Sequence, residues 1–514
     1  MKAFVMTTTP TRNRWLVLAI LSSALLLITI DVTVLCVALP RLTAALSASA
    51  SQKLWIVNAY PLVMAGLLPG LGTLGDRLGH KRLFLTGLAV FGVASLLAAF
   101  APSPAMLIAA RVLLAVGAAA MMPATLSIIR LTFEDEGERS FAIGVWAAVA
   151  SGGAALGPVF GGLILEHFWW GAVFLINVPV VVLALGLAAW LMPSRPGQAA
   201  RPWDLVGSVQ VLIGLVALAY AVKEVAKRDA SLSHAALTLA IGLAAFVLFK
   251  RRQDHLTHKL IDFSLFRDHG FSAGVTAALV SMLSLIGFEL VLSLRLQVVL
   301  GLMPLEAGLF ILPIPLAALV TGPIAGALAP RLGAMNLLWG GLFLAGVGLA
   351  LSGLSYDAPL LWQIPGFALL GSGLGATMTA ASGVIMASAP ADRAGMAASI
   401  EEVSFELGGA IGIAILGSVL TAVYGASLAV PAGSSVPLTI LDSLDEALAA
   451  AATLPEAEAD ALREAAFAAF DQAVIAVIAL AAALTLATAL AIWIVGRRGR
   501  MRARSLQGYY VGKI

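Results

Sequence analysis

The chain has 514 residues, of which 60% are hydrophobic and 11% charged, with a formal net charge of +3 and a mean hydropathy of +0.98. A soluble domain carries about 25% charged residues, so a soluble globule is excluded and the solvent for most of this surface is a bilayer. The small basic excess belongs to membrane-side lysines and arginines rather than to a nucleic-acid surface, and the single cysteine, Cys36, excludes an intrachain disulfide.

The first apolar run, from Trp15 to Leu39, follows Lys2, Arg12 and Arg14. It exceeds the ~7–15 residues of a signal peptide's apolar region, so it reads as a retained helix despite the cleavage-like Ala48-Ser49-Ala50. A helical span needs about 20 apolar residues. Candidates fall at 15–39, 54–74, 82–100, 104–130, 141–165, 170–192, 205–222, 235–250, 271–299, 305–329, 335–354, 360–388, 395–424 and 472–495, fourteen in all, the eighth short. Between the second and third lies Gly72-Thr73-Leu74-Gly75-Asp76-Arg77-Leu78-Gly79. The pattern G-x-L-x-x-R-L-G returns at Gly326–Gly333, 254 residues later, between the tenth and eleventh. A charged, glycine-rich turn repeated between spans predicts two related halves, and transporters commonly place their substrate site where such halves meet.

The expected organisation is therefore an all-α integral membrane protein. A six-helix half occupies 1–192, two inserted helices and a linker 193–270, a second six-helix half 271–495, and a basic tail 496–514. Lysine and arginine bias sets orientation. With the N-terminus inside, the inner segments hold 23 of these residues and the outer ones 6, so both termini are expected in the cytoplasm. The outer segment 425–471 is long and acidic. Ser443 with Glu446 and Thr453 with Glu456 fit the capping-box pattern, and Pro455 suits a first helical turn. These features predict a small helical hairpin outside the membrane, with a solvated linker as the alternative.

A charge inside a bilayer costs ~2.5–3.5 kcal/mol on insertion scales, so each one needs a reason. Asp31 lies too deep in the first span to reach water and is read as a proton or cation site, against a structural ion pair. Glu402 and Glu406 share one helix face, while Glu401 is turned about 100° from Glu402 and is expected either in the cluster or at the inner interface. Clustered acids suit proton uptake and release. Glu289 sits mid-span as a second proton or cation candidate, and Arg295, further out, is expected to snorkel to the surface. Arg111 needs acceptors, either Asp31 or backbone carbonyls, in a structural or a proton-coupling role. Trp55 and Tyr60 are candidates to stack on a cationic ligand, with interface anchoring the more common use of such residues. Gly153, Gly157, Gly161 and Gly162 around Pro158 form a close-packing motif in the fifth span. No nucleophile elbow, zinc motif or phosphate loop occurs, so neither ATP nor a metal is expected.

These runs together resemble the major facilitator superfamily, in its fourteen-helix drug:proton antiporter branch, and are similar to its methyl viologen and quaternary ammonium exporters. GTLGDRLGHKR resembles the loop that locks the two halves on the cytoplasmic side. The resemblance carries that role onto Gly72, Gly75, Asp76, Arg77, Gly79 and Lys81. IDVTVLCVALP resembles the first-helix signature, with Asp31 as its acid, and SGGAALGPVFGG the antiporter motif. EHFWWGAVFLINVP looks like the run after that motif, LWIVNAYPLVMAG and IEEVSFELGGAIG like runs of the exporters, and Arg111 with Gly117 like the fourth-span motif. It implies drug and proton exchange at Asp31, Glu401, Glu402 and Glu406. Three departures stand out: Leu114 and Ala115 replace glutamine and glycine, Pro330 replaces the acid of the second loop, and Asn58 stands where related pumps often carry aspartate.

The expected function is proton-coupled efflux of lipophilic mono- and dications by a multi-pass monomer of the bacterial inner membrane. It has no cofactor other than protons and no nucleic-acid partner. Trp55, Asn58 and Tyr60 are expected in the substrate pocket. Export of a neutral or anionic metabolite or lipid is the alternative within this fold. A non-transporting sensor or a membrane-embedded enzyme is the alternative outside it.

Overall fold

A computed structural model describes residues 11–48, 50–194, 197, 203–225, 231–256, 259–429, 438–441 and 443–511. Of the lysines and arginines in the charge argument, Lys2, Arg195, Arg201 and Lys513 of the inner set and Lys227 and Arg228 of the outer set lie outside them. Among the described residues there is no strand. The helices are α1 (Thr11–Ala45), α2 (Ala50–Leu78), α3 (His80–Ala99), α4 (Pro104–Thr132), α5 (Glu136–His167), α6 (Ala172–Leu175), α7 (Asn177–Leu191), α8 (Leu205–Val225) and α9 (Leu232–His255). They continue with α10 (His269–Leu294), α11 (Pro304–Ile311), α12 (Pro313–Leu332), α13 (Ala334–Leu354), α14 (Leu360–Ser388), α15 (Ala394–Ser427), α16 (Leu444–Ala451) and α17 (Glu456–Val511).

Among the described residues, twelve stretches are long and apolar enough to cross a membrane. At the fifth expected place stands α5, with 32 residues. At the seventh is a shorter apolar stretch, Leu205–Leu218. Span 6 is split at Ile176 into α6 and α7, and span 10 is split at Leu312, where Pro313 opens α12 because proline cannot donate into a preceding turn. The α10 helix ends in a π-helical turn, Arg295–Val299.

Starts follow local chemistry. Ser103, Asp135, Asp268 and Ser443 each accept a bond from the backbone N–H three residues on, satisfying a donor that the helix cannot. Gly79 and Gly333 precede α3 and α13 at φ 92° and 82°, backbone that L side chains rarely adopt. The repeated loop is thus repeated in conformation as well as in sequence.

Glycines set the packing, and they do so twice. Cβ atoms added at Gly153 and Gly157 would lie 1.8 Å from Thr29 Oγ1 and Thr33 Oγ1 of α1. In the second half, Gly408 and Gly412 of α15 press in the same way on the Leu279 and Leu283 carbonyls of α10. Gly87 with Gly117 joins α3 to α4, and Gly341 with Gly373 joins α13 to α14. One apolar cluster gathers Val17 to Met192 with a few residues from the second half, and another runs from Leu283 to Ala482.

The inserted pair lies against α2, where Gly66 meets Leu212 and Gly70 meets Ser208, and Trp203 Nε1 donates to Gly70 O at 3.0 Å. The linker after α9 reaches α15 through the Asp262–Arg393 ion pair. Partial burial pushes the Asp262 carboxyl up, but its bonds from Ser264 and the charge of Arg393 outweigh this and hold it below the usual carboxylate range. Its contribution to stability is therefore complete above the ordinary aspartate pKa and is lost as pH falls through the lowered value.

Within the segment expected as a small helical hairpin, of which 430–437 and 442 lie outside the described residues, two packed helices form, and the second is continuous with the last span. Helix α16 packs on the first turns of α17 through Leu444, Ala447, Ala459 and Leu462, and α17 then runs unbroken for 56 residues, through most of the expected tail. No helix breaker lies between Glu456 and the span, and alanine, the best helix former, fills the junction. Thr453 does not cap, since its hydroxyl donates back to Ala450 O at 2.8 Å.

The packing predicts an asymmetry within one motif. Gly157→Val should destabilise the fold by ~1–3 kcal/mol through overpacking against Thr33. Gly162→Ala, whose Cβ would meet nothing within 4 Å, should melt like the parent in detergent.

Candidate functional site

Asp31, Arg111, Tyr60 and Asn177 meet inside the first half. Helix α1 presents Asp31, 1% exposed, and α4 presents Arg111, whose Nη1 donates to Asp31 Oδ2. Arg111 Nε donates to Ile56 O at 3.3 Å, and its guanidinium lies 4.5 Å from the centroid of the Tyr60 ring. Asn177 Nδ2 reaches Asp31 Oδ1 at 3.4 Å and Ser95 Oγ at 3.2 Å. The lone arginine thus takes both acceptors expected of it, a carboxylate and a carbonyl. Each charge answers the other, which a low-dielectric interior requires.

The α15 acids are different. Glu401 is 0% and Glu402 2% exposed. Ser382 of α14 donates to Glu401 Oε1, so Glu401 lies between two helices rather than at the inner interface. Glu401 Oε2 and Glu402 Oε1 are buried with no hydrogen-bond partner. Charges within reach of Glu402 are Glu401 and Glu406. Glu406 also lies within electrostatic reach of Tyr60, as do Asp31 and Arg111. Tyr60 therefore stands between the two acidic groups, with its hydroxyl buried and unpartnered.

Other expected members stand apart. Glu289 is partly buried on α10. Arg295 does not snorkel. It is 8% exposed, donates to Tyr356 O at 2.8 Å, stacks 3.5 Å over the Tyr356 ring and lies 3.9 Å from Asp471. The π-helical turn it opens and the nearby carboxylate hold it inside. Trp55 is 44% exposed while Tyr60 is covered by Arg111, so the two rings do not form one cage. Asn58 is partly buried.

The Asp76 loop closes the basic end of the bundle. Helix α15 begins after Arg393 with no side-chain cap of its own. Asp76 supplies one from the other half: Gly395 N donates to Oδ1 at 2.9 Å and Met396 N to Oδ2 at 3.3 Å, with His80 Nε2 3.3 Å from Oδ1. Gly72 permits the approach, because a Cβ there would lie 2.4 Å from Gly395 O. Gly75 leaves room for His80, and a Cβ there would lie 2.8 Å from its Nδ1. Gly79 takes the positive φ, and Lys81 Nζ caps α7 through Ala189 O and Met192 O at 2.9 and 2.6 Å. Arg77 turns its carbonyl toward Gly197. Arg130 adds a second tie between the halves, its Nη2 donating to Ala389 O at 2.6 Å. Of the fifth-span motif, Gly153, Gly157 and Gly161 face α1, and α5 runs continuously through Pro158.

Asn177, Ser95 and Ser382 were not singled out from sequence. A lone asparagine ahead of Pro179 in an otherwise apolar span was the available signal for the first. Single serines in spans carry none, since most bond their own helix.

Substitutions at two sites test this geometry. Arg111→Ala leaves Asp31 buried without its partner and should cost ~3–5 kcal/mol, much of it recovered in the Asp31→Asn, Arg111→Ala double variant. Asp76→Ala removes a cap worth ~0.5–2 kcal/mol and should raise labelling of a cysteine placed at Ser399. Asp76→Asn, which keeps an acceptor, should raise it less.

A profile of the Major Facilitator Superfamily matches residues 21–413. The chain is 42% identical over 486 residues to the methyl viologen resistance protein SmvA of Salmonella typhimurium, covering 94% of this chain and 98% of that one. It is 41% identical over 495 residues to the multidrug efflux pump LfrA of Mycolicibacterium smegmatis, covering 96% and 98%. Among solved structures, the human organic anion transporter MFSD10 superposes with a TM-score of 0.63 at 16% identity, over 94% of this chain and all of that one. The proton:xylose symporter XylE does so at 0.59 and 13%, over 94% and 96%. A helical bundle repeated about one loop, a matching profile and relatives alike over nearly their whole length agree: the chain belongs to the major facilitator superfamily.

Proposed function

We propose that this protein is a proton-coupled multidrug antiporter. It exports lipophilic mono- and dications, among them quaternary ammonium compounds, methyl viologen and cationic dyes and biocides, by alternating access. The observation that carries this reading is the α15 cluster. Two buried glutamate oxygens have no partner, and the charges within reach of Glu402 are themselves acids. Intramembrane carboxylates mark cation and proton pathways, and a cluster without an arginine or lysine suits either an organic cation or protons. Likeness to methyl viologen and multidrug pumps supports the substrate class.

The lysine and arginine bias favours the basic end and both termini on the cytoplasmic side, and we read the protein as a monomer that crosses a bacterial inner membrane fourteen times. The Asp76–α15 contact then closes the cytoplasmic side. Protons entering from outside displace the drug from Asp31, Glu289, Glu402 and Glu406. Opening inward then releases the protons. Exchange of one proton for one monovalent cation moves no net charge. Export of a dication against ~100 mV costs ~4.6 kcal/mol, at about 2.3 per charge, so electroneutral exchange of a dication needs two protons and more than one acid.

The test is binding of methyl viologen or a quaternary ammonium ion to purified protein at low buffering strength, with pH followed by a dye. Proton release is expected, reduced in Asp31→Asn and in Glu402→Gln. If the Asp31→Asn, Glu402→Gln double variant released as many protons as the parent, the antiport reading would fall.

A further inference from the structure

Asn177 brings an amide side chain to the Asp31 carboxylate from an otherwise apolar helix. It is 1% exposed and opens α7 directly after the break at Ile176. A buried amide costs about 1–3 kcal/mol for each polar atom left unbonded, and its Oδ1 has no partner. Its Nδ2 is spent on two groups from two other helices, Asp31 Oδ1 of α1 at 3.4 Å and Ser95 Oγ of α3 at 3.2 Å.

We propose that Asn177 is a positioning residue for the proton site, holding one oxygen of Asp31 while Arg111 holds the other. This rests on the reading of Asp31 as a site that exchanges protons. Pinning both oxygens fixes the plane of the carboxylate against the Tyr60–Arg111 stack. The two partners differ in kind. Arg111 can only donate, so it serves the carboxylate alone. An amide carries a donor and an acceptor on one plane. A half turn of the Asn177 side chain brings Oδ1 to where Nδ2 stands, facing Asp31 and Ser95. There it accepts from the O–H that Asp31 carries once protonated, and the Ser95 hydroxyl changes from acceptor to donor. The Asn177–Ser95 pair thus follows Asp31 through both states without moving a helix.

The probe is methyl viologen binding to the full-length purified protein near pH 6 and near pH 9. In Asn177→Leu, affinity near pH 6 should fall by roughly tenfold, because the bond to the charged carboxylate is stronger than the bond accepted from the neutral acid, a difference worth about one pH unit in competition with protons. Near pH 9, where no proton competes, affinity should match the parent. Ser95→Ala, a milder change, should move the same way by less, and it serves if Asn177→Leu does not fold. Equal loss at both pH values in either variant, or no loss at either, would make Asn177 a packing residue and overturn the proposal. A separate outcome concerns its foundation: if Asp31→Asn left the pH dependence of binding unchanged, Asp31 would not be a proton site and both readings would fall together.

Discussion

One carboxylate makes two of the bonds that tie the halves together at the basic end of this molecule. Helix α15 starts with unsatisfied amides, as every helix does, and its own N-cap position is Arg393, which offers no acceptor. Asp76 of the opposite half supplies both bonds. The negative charge also sits where the positive end of the helix dipole favours it. A cap made within one segment would have cost less conformational entropy. Made across the seam, it turns the start of α15 into a contact that exists only when the halves are together.

The repeat makes this clearer where it is broken. The second loop copy lies against α5 as the first lies against α15: Gly326 touches Ser140 O and Phe141, as Gly72 touches Gly395 O and Ser399. At the position of Asp76 the second loop has Pro330, which can accept nothing from its side chain. The α5 helix does not need it, since Asp135 caps it locally through the Glu138 amide at 2.8 Å. The loss of the acid from the second loop and the presence of a local cap on α5 are therefore one fact. Only one of the two pseudo-equivalent seams is held by a charge.

Much of this was legible in the sequence because membrane helices announce themselves by composition and buried charges by their rarity. The repeated loop, the halves it implies and the acids of spans 1 and 13 needed no structure. Partners were less legible. That Arg111 meets Asp31 was one of two options, because residues 80 apart in sequence meet through helix order and rotation, which periodicity in an all-apolar helix does not fix. Arg295 was misplaced for a related reason. Snorkelling was inferred from depth, while a π-helical turn and Asp471, 176 residues downstream, decide its direction. The junction at 471–472 was drawn where hydropathy changes, but helical hydrogen bonding ignores that change.

The two acidic groups also differ in what they can contribute to coupling. Asp31 is already answered by Arg111, so a change there redistributes bonds within the first half. The α15 acids have no such answer, and each ionised one carries a burial cost of ~2.5–3.5 kcal/mol. The Asp76 cap is worth ~0.5–2 kcal/mol. These magnitudes are of the same order. Gly395 and Glu406 belong to one 34-residue helix, about 17 Å apart along its axis at 1.5 Å per residue. A rigid element thus carries a seam contact at one end and the uncompensated charges two to three turns inward. Loading or unloading one or two of those acids changes the energy of this helix by at least as much as the cap contributes. Under the antiport reading proposed above, that balance lets occupancy of the site decide whether the basic end stays closed.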